Sequence, residues 1–433
     1  HRGPDDEGAF LENGCGLGHV RLSIIDLYRG HQPMCKKREG NTYAIILNGE
    51  IYNMKPLKEQ LIKEGEVFST TSDTEVVLTG YIRHGISYME QLNGIFAIAL
   101  WDGKRKKLYL IRDRVGVKPL FYTKQGDTLI FASEIKGLFA YPGVKPVINR
   151  EGLCEIFGLG PAKSYGKGVF KDICEVLPGH FLEYDREGLK DHAYWELKAK
   201  EHTDSEKDTI EHTRWLVKDA VEMQMLSDIP ISTFLSGGVD SSLVTAICAK
   251  KLQKEGKNLN TFSFDFVNNH QYFQSNSFQP SEDRPWVDKM VDFAKTDHRY
   301  LECDNENMIE NLYKAVDARD LPCMADVESS MLYFCSKVVK YNKVTLTGEC
   351  ADEIFGGYPW FHKEECFKAD IFPWSMDMQP RKMLLNDDIL QKVDLESYVK
   401  AAYQKTINET PKLYGEDQTE ARRRQISYLN LKW

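Results

Sequence analysis

The chain has no cysteine pair of the CxxC kind; its ten cysteines stand singly. That scatter, in a chain with no secretory signal, excludes a disulfide framework and points to reduced thiols in the cytoplasm. No apolar run is long enough to span a bilayer, so no membrane partner is expected. Positive charge is in deficit, with 56 Lys and Arg against 65 Asp and Glu and a net charge of -9. This balance argues against a nucleic-acid partner, because phosphate backbones are held by an excess of Lys and Arg. Low-complexity stretches are absent. So is the GxxxxGK[ST] signature: the one dense glycine-serine loop of the chain lacks its lysine. What remains is an ordinary soluble balance of 42% hydrophobic and 28% charged residues over 433 positions, enough for two or three domains.

The chain is organised around Phe234-Leu235-Ser236-Gly237-Gly238-Val239-Asp240-Ser241-Ser242. Ile229–Thr233 before it reads as a buried strand, and Leu243–Ala249 after it as a helix. Backbone N–H groups and the positive end of a helix dipole hold anions at such a junction. Gly237 and Gly238 let backbone approach a phosphate closely, and Ser236, Ser241 and Ser242 add hydroxyl donors. Asp240 would repel a phosphate unless a divalent cation bridged the two. The plain alternative is a capped, glycine-bearing turn. The full run between strand and helix favours phosphate binding, and it resembles the pyrophosphate loop of ATP pyrophosphatases.

Residues 1–195 read as an antiparallel, β-rich domain with a few helices. Strands are expected at Tyr43–Leu47, Gly94–Asp102, Lys107–Arg112, Leu120–Tyr122, Leu129–Ala132 and Gly179–Tyr184, the second and third forming a hairpin. Helices are expected at Met54–Lys63 and Thr74–Tyr81, the latter capped by Ser72 or Asp73. Residues 196–208 are charged and read as a linker. From 209 to 433 the pattern changes to strands separated by helices, which implies an α/β doubly wound parallel sheet with ligands at the carboxyl ends of its strands. Glu211–Met225 and Trp286–Lys295 read as helices, and Leu259–Asp265, Arg299–Glu302 and Lys343–Thr347 as strands. Three loops then converge, at Ser236, after Phe264 and at Gly348. The region past Gly356 reads as helical. His1 is not a Met and Arg422–Trp433 carries no C-cap signal, so the chain reads as a fragment lacking both ends.

Gly348-Glu349-Cys350-Ala351-Asp352-Glu353 places three carboxylates after a strand. Acidic residues at a helix start favour the dipole and need no ligand. Beside a phosphate loop, however, Asp352 opposite Asp240 makes a Mg²⁺ pair, with hard oxygen donors and positions open to phosphate. Glu349 is left free for general-base or positioning work.

The pairing of SGGxDSS with Thr347–Tyr358, which spells TGECADEIFGGY, resembles the glutamine-hydrolysing asparagine synthetases. His1–Asp5, His19–Asp26, Asn48–Asn53, Ser72–Glu75, Arg112–Tyr122 and Ser133-Glu134 independently resemble the glutaminase half of that family. The resemblance implies an α+β N-terminal-nucleophile glutaminase domain, with antiparallel sheets and helices, followed by an ATP-pyrophosphatase domain. It implies that Arg21 binds the glutamine α-carboxylate, that Asp73 and the Glu50 backbone bind the α-ammonium, and that Asn48 and Gly49 form the oxyanion hole. It further implies that Leu235, Phe264, Thr347 and Gly348 contact adenosine or ATP. Ser236, Gly237, Gly238 and Ser241 would hold pyrophosphate, and Glu349 would assist ammonia attack. Substrates would be glutamine, aspartate and ATP, with Mg²⁺. Oligomeric state stays open, a homodimer included. Taken singly, Arg21 is a surface residue, Asn48-Gly49 a hairpin turn and Asp73 a helix cap; order and spacing raise them above that.

Three departures stand out. The family's nucleophile is an N-terminal cysteine whose own amine is the base. Cys15 has no free amine and reads as structural. Thr347 and Cys350 stand where the family commonly has Ser and Gly. A lysine of later synthetase motifs is not in the sequence. The expected reaction is aspartate adenylation followed by displacement of AMP by ammonia. Rival readings are a related amidotransferase or a β-lactam or lasso-peptide type of cyclase acting on another carboxylate, and a non-catalytic regulatory protein.

Overall fold

The computed structural model describes every residue except 13 and 276–280, and the chain divides into two compact units. The first comprises His1–Val147, Tyr165–Leu197 and Leu226–Ile229. Its centre is a six-stranded antiparallel sheet. Met34–Arg38 (β3) and Asn41–Ile51 (β4) follow the separate hairpin of Asp6–Glu12 (β1) and Cys15–Arg21 (β2). Gly94–Asp102 (β5) and Lys107–Arg112 (β6) form the expected hairpin. Phe121–Gln125 (β7), Thr128–Ala132 (β8) and the short Cys174–Glu175 (β9) make a three-stranded sheet. His180–Asp185 (β10) and Gly188–Ala193 (β11) complete the large one, in the order β11-β10-β6-β5-β4-β3.

β4 and β5 read as continuous apolar runs because both faces of the sheet are covered. Ile45, Leu47, Ile51, Phe96, Ile98 and Leu100 point to one face. There they meet Met54, Leu57 and Leu61 of the Met54–Lys63 helix and Val76, Val77 and Tyr81 of the Asp73–His84 helix. Ala44, Ala97, Ala99 and Trp101 take the other face with Cys15, Leu17, Leu108 and Leu110. Ser72 is the N-cap of the second helix, accepting from the Thr74 N–H, as one of the two expected candidates.

The second unit comprises Ile148–Ser164, Lys198–Met225 and Pro230–Trp433. Four strands, Ile231–Phe234 (β12), Asn260–Phe266 (β13), Asp297–Cys303 (β14) and Val344–Leu346 (β15), form a fully parallel sheet in the order β14-β13-β12-β15. Helices Val239–Lys254, Arg284–Ala294, Asn305–Arg319 and Ala325–Val338 supply the crossovers. Beyond the sheet, Phe372, Val399, Tyr403 and Leu429 pack with Cys154 and Leu159 into a separate helical core.

Several bounds differ from expectation. The helix expected from Glu211 starts at Glu206, because Ser205 caps it by accepting from the Asp208 N–H; the last three residues of the expected linker are helical. The strand expected at Ile229–Thr233 starts at Ile231 and runs to Phe234. Its middle is hydroxylic rather than apolar. Ser232 and Thr233 are fully buried, and their hydroxyls lie 2.8 Å from those of Thr345 and Thr245, which removes the cost of burying them. The helix after the glycine loop starts at Val239, not Leu243, so Asp240, Ser241 and Ser242 stand in its first turn.

Candidate functional site

In the first unit the candidate residues gather around β4. Asn48 and Gly49 lie within this strand, paired in register with Ala97 and Phe96, and not in a hairpin turn. The reading of Asn48-Gly49 as a plain turn is therefore excluded. Gly49 has φ +140°, and a Cβ there would lie 1.9 Å from the Ile95 carbonyl oxygen, so only glycine fits. The Asn48 Nδ2 reaches the Ser133 hydroxyl at 3.5 Å. Next to Ser133, Glu134 pairs with His1 Nε2 and Arg2, each at 3.1 Å, which brings the start of the chain alongside.

Arg21 ends β2 and is buried. One of its terminal nitrogens donates to the carbonyls of Ile25 and Asp26 at 2.7 and 2.9 Å, which fixes the plane of the guanidinium. Gly30 lies against that guanidinium so closely that a Cβ would sit 2.1 Å from it. The Asp26 carboxylate accepts from the Thr71 N–H and hydroxyl at 2.6 and 3.0 Å, tying the arginine's loop to the turn that leads into Asp73.

Asp73 is buried and accepts from the N–H groups of Ile51 and Thr74 at 3.0 and 2.8 Å. Burial pushes its carboxyl up despite those donors. Glu50, one residue before Ile51, is pushed up to about 7 by burial and then by the charge of Asp73, with Lys118 acting the other way. Burial also pushes the Lys118 ammonium down. Two desolvated carboxyls beside one weakened cation make a site short of positive charge. An ammonium group relieves that shortage, and Arg21 suits a carboxylate. The side chains of Glu50 and Lys118 escape a sequence reading, because their shifts arise from what folds over them. Cys15 is buried and its thiol is pushed up to about 12 by burial, which agrees with a structural role.

Two further residues of the Arg112–Tyr122 stretch are scaffold. The Asp113 carboxylate accepts from the N–H groups of Phe96, Val115, Val117 and Lys118 at 3.0 to 3.2 Å. Arg112 donates to the carbonyls of Gly116, Lys118 and Val176 and pairs with Glu175.

In the second unit, β12, β13 and β15 end at one edge of the parallel sheet and deliver the three expected loops there. Ser236 and Ser241 hold one another at 2.9 Å between hydroxyls, and the Ser236 N–H donates to the Ser241 hydroxyl at 3.2 Å. Gly237 has φ +81°, and a Cβ would come within 2.8 Å of Trp286 Cβ. Gly238 is the helix N-cap. Gly348 approaches the same helix start: a Cβ there would lie 2.6 Å from the Ser241 nitrogen. That contact brings the Gly348–Glu353 stretch onto the glycine loop.

Asp352 is pushed up first by burial and then by the charge of Asp240, with Glu353 adding to it. The two expected metal carboxylates are thus near neighbours that repel, the condition a divalent cation relieves. Among the described residues no group of three His, Cys, Asp or Glu assembles as a metal cluster. Glu349 is exposed, with its N–H 3.4 Å from the Thr347 hydroxyl. The Leu235 side chain is buried, and its N–H and carbonyl are taken by Phe262 and Ser263, so it forms the wall rather than the surface of a nucleotide site. Phe264 stacks on Phe334 at 4.2 Å and meets Phe234 edge-on at 4.7 Å. Phe334 is an addition that the sequence motifs do not name.

Residues 1–195 match the glutamine amidotransferase domain family, and residues 212–433 match the asparagine synthase family. Over all 433 residues the chain is 47% identical to glutamine-hydrolysing asparagine synthetase 3 of Bacillus subtilis, covering 70% of that protein. The chain belongs to the glutamine-hydrolysing asparagine synthetase family. Asparagine synthetase 2 of the same organism is 35% identical over 83% of this chain and 48% of its own length. An amidase of Penicillium rubens is 32% identical over 86% of this chain and 54% of its own. Among the described residues no helix is long and apolar enough to cross a membrane.

Proposed function

We propose that this family member makes asparagine from aspartate and ATP, using ammonia drawn from glutamine. In the first unit Arg21 would take the glutamine carboxylate, and Asp73 with the Glu50 carbonyl its ammonium. The Asn48 side chain and Gly49 N–H would face the oxyanion that forms at the amide carbon. In the second unit the Ser236–Ser241 loop and the start of the Val239–Lys254 helix would hold pyrophosphate, with Thr347, Gly348 and the Phe264 ring toward the nucleoside. Asp240 and Asp352 would hold Mg²⁺, which supplies charge neutralisation to the phosphates when bound. The aspartate side-chain carboxylate attacks the α-phosphorus and pyrophosphate leaves. Ammonia then attacks the acyl carbon, AMP departs, and the exposed Glu349 accepts the proton the nitrogen sheds.

The observation that carries this reading is the close approach of Gly348, at the head of the stretch that carries Asp352, to Asp240 and Ser241 of the glycine-serine loop: a Cβ on Gly348 would lie 3.0 Å from the Asp240 Cβ. Its test is ATP–pyrophosphate exchange with Mg²⁺ and a panel of carboxylic acids. Aspartate-dependent exchange is expected, falling at least about a hundredfold in Asp240→Ala. Exchange with another acid and none with aspartate would sink the aspartate assignment. It would favour the second reading, an enzyme amidating a different carboxylate.

A further inference from the structure

β3 covers β4 only as far as the Met34–Ile45 pair, so Leu47 lies two residues past its end. On the other side Leu47 is in register with Ile98 of β5. Where β3 stops, side chains take the place of a strand. The Gln32 Oε1 accepts from the Leu47 N–H at 2.6 Å. His19 Nε2 lies 3.3 Å from the Leu47 carbonyl, against which a ring nitrogen can only donate. Asn48 and Gly49 follow Leu47 directly, so these two side chains hold β4 just before the residues assigned to the oxyanion.

Gln32 is buried, and its amide has a fixed sense. The Leu47 N–H needs an acceptor, so the amide oxygen faces Leu47 and the amide nitrogen faces Thr74, donating to its hydroxyl at 3.3 Å. With its oxygen accepting, the Thr74 hydroxyl turns its own proton to Asp73 Oδ1, 3.5 Å away. The same carboxylate oxygen accepts from the Thr74 N–H at 2.8 Å and lies 3.4 Å from the Ser72 hydroxyl. One buried amide thus joins the strand of Asn48 and Gly49 to the carboxylate of Asp73. Two residues before Gln32, Gly30 lies against the Arg21 guanidinium. Within three residues the chain touches all three parts of the glutamine site.

We propose that Gln32 is a positioning residue for glutamine: its amide, relayed by the Thr74 hydroxyl, sets the separation between the oxyanion donors on β4 and the carboxylate that takes the α-ammonium. The inference deepens the glutamine-site reading above and rests on it. Glutamine carries its ammonium and its amide at opposite ends of a short chain, so a site that grips both must hold its two halves at a set distance. Gln32 spans those halves from within the protein.

The test is calorimetric titration of the full chain with L-glutamine, with the urea midpoint of each variant read alongside. In Gln32→Met, which keeps the length of the side chain and loses both polar atoms, the dissociation constant should rise at least about tenfold. Thr74→Val, which keeps the shape and loses the hydroxyl, should raise it about fivefold. Thr74→Ser, which keeps the hydroxyl, should restore the wild-type value. The double variant Gln32→Met/Thr74→Val should bind no worse than Gln32→Met alone, because both changes break one relay. Residues that merely support the fold would give penalties that add and would not distinguish valine from serine. Should Gln32→Met not fold, the two Thr74 variants decide, since they leave the acceptor of the Leu47 N–H in place. Folded variants that bind glutamine as the wild type does, or penalties that add, overturn the proposal while leaving the glutamine site standing. No glutamine binding by the wild type overturns the site assignment and this inference together.

Discussion

Cys350 stands at φ +72°, immediately before the Ala351–Phe355 helix. An L side chain at that angle crowds its own backbone, at a cost of about 1–2 kcal/mol that glycine avoids. This is the physical reason that glycine suits the position, and it turns on backbone angle rather than on side-chain size. Cys350→Gly should raise stability by roughly 1 kcal/mol, seen as a higher urea midpoint at unchanged slope. A lower midpoint would mean that the thiol makes a contact worth more than the strain. Glu50 gives a second prediction at this scale. In the fold its carboxyl keeps a proton to about pH 7, against an ordinary value of 4.5. Between those values the folded chain holds a proton that the unfolded chain has lost, so stability falls as pH rises through the window and levels off above it. The swing is at most about 3 kcal/mol. Urea titrations at pH 5 and pH 8 without glutamine should show it in the wild type, and Glu50→Gln should flatten it. The sequence names Glu50 only for its backbone, since nothing in the letters tells that Asp73 will lie beside it.

At the scale of the element, the glycine loop was legible as a strand-to-helix junction because Gly237, Gly238 and three serines occur together between apolar runs. Where the helix begins was not. Gly238 caps it through its backbone alone, leaving no side-chain signal, and Asp240 therefore belongs to the first turn. The same ambiguity affected Asn48-Gly49, whose composition fits a two-residue turn but whose neighbours Ile46, Leu47 and Ile51 extend the strand through it. Gly348 joins two elements. Because a Cβ there would lie 2.6 Å from the Ser241 nitrogen, Gly348→Ala must push β15's loop off the start of the Val239–Lys254 helix. Aspartate-dependent exchange should fall about tenfold or more, with glutamine affinity far less altered. Equal exchange in the variant would show that the loops tolerate separation.

For the molecule as a whole, the two architectures were legible from period: hairpin-spaced strands first, then strands alternating with helices. The deficit of Lys and Arg fits the proposed site, in which phosphate would be met by backbone, hydroxyls and a cation rather than by a basic surface. The paths of short connections were not legible. Six residues, 225–230, between a helix and a buried strand look like a simple turn, and only the fold reveals that Leu226 and Asp228 serve the first unit.

That detour has a practical corollary for anyone dividing the chain. A cut in the charged stretch near residue 200 looks clean, yet the amino-terminal piece it releases would leave behind four residues that pack with it. Such a piece would carry a notch where Leu226 belongs and an Asp26 N–H with no carboxylate to receive it. Supplying Leu226–Ile229 as a separate peptide, or splicing it onto the end of the piece, would be the way to make it whole.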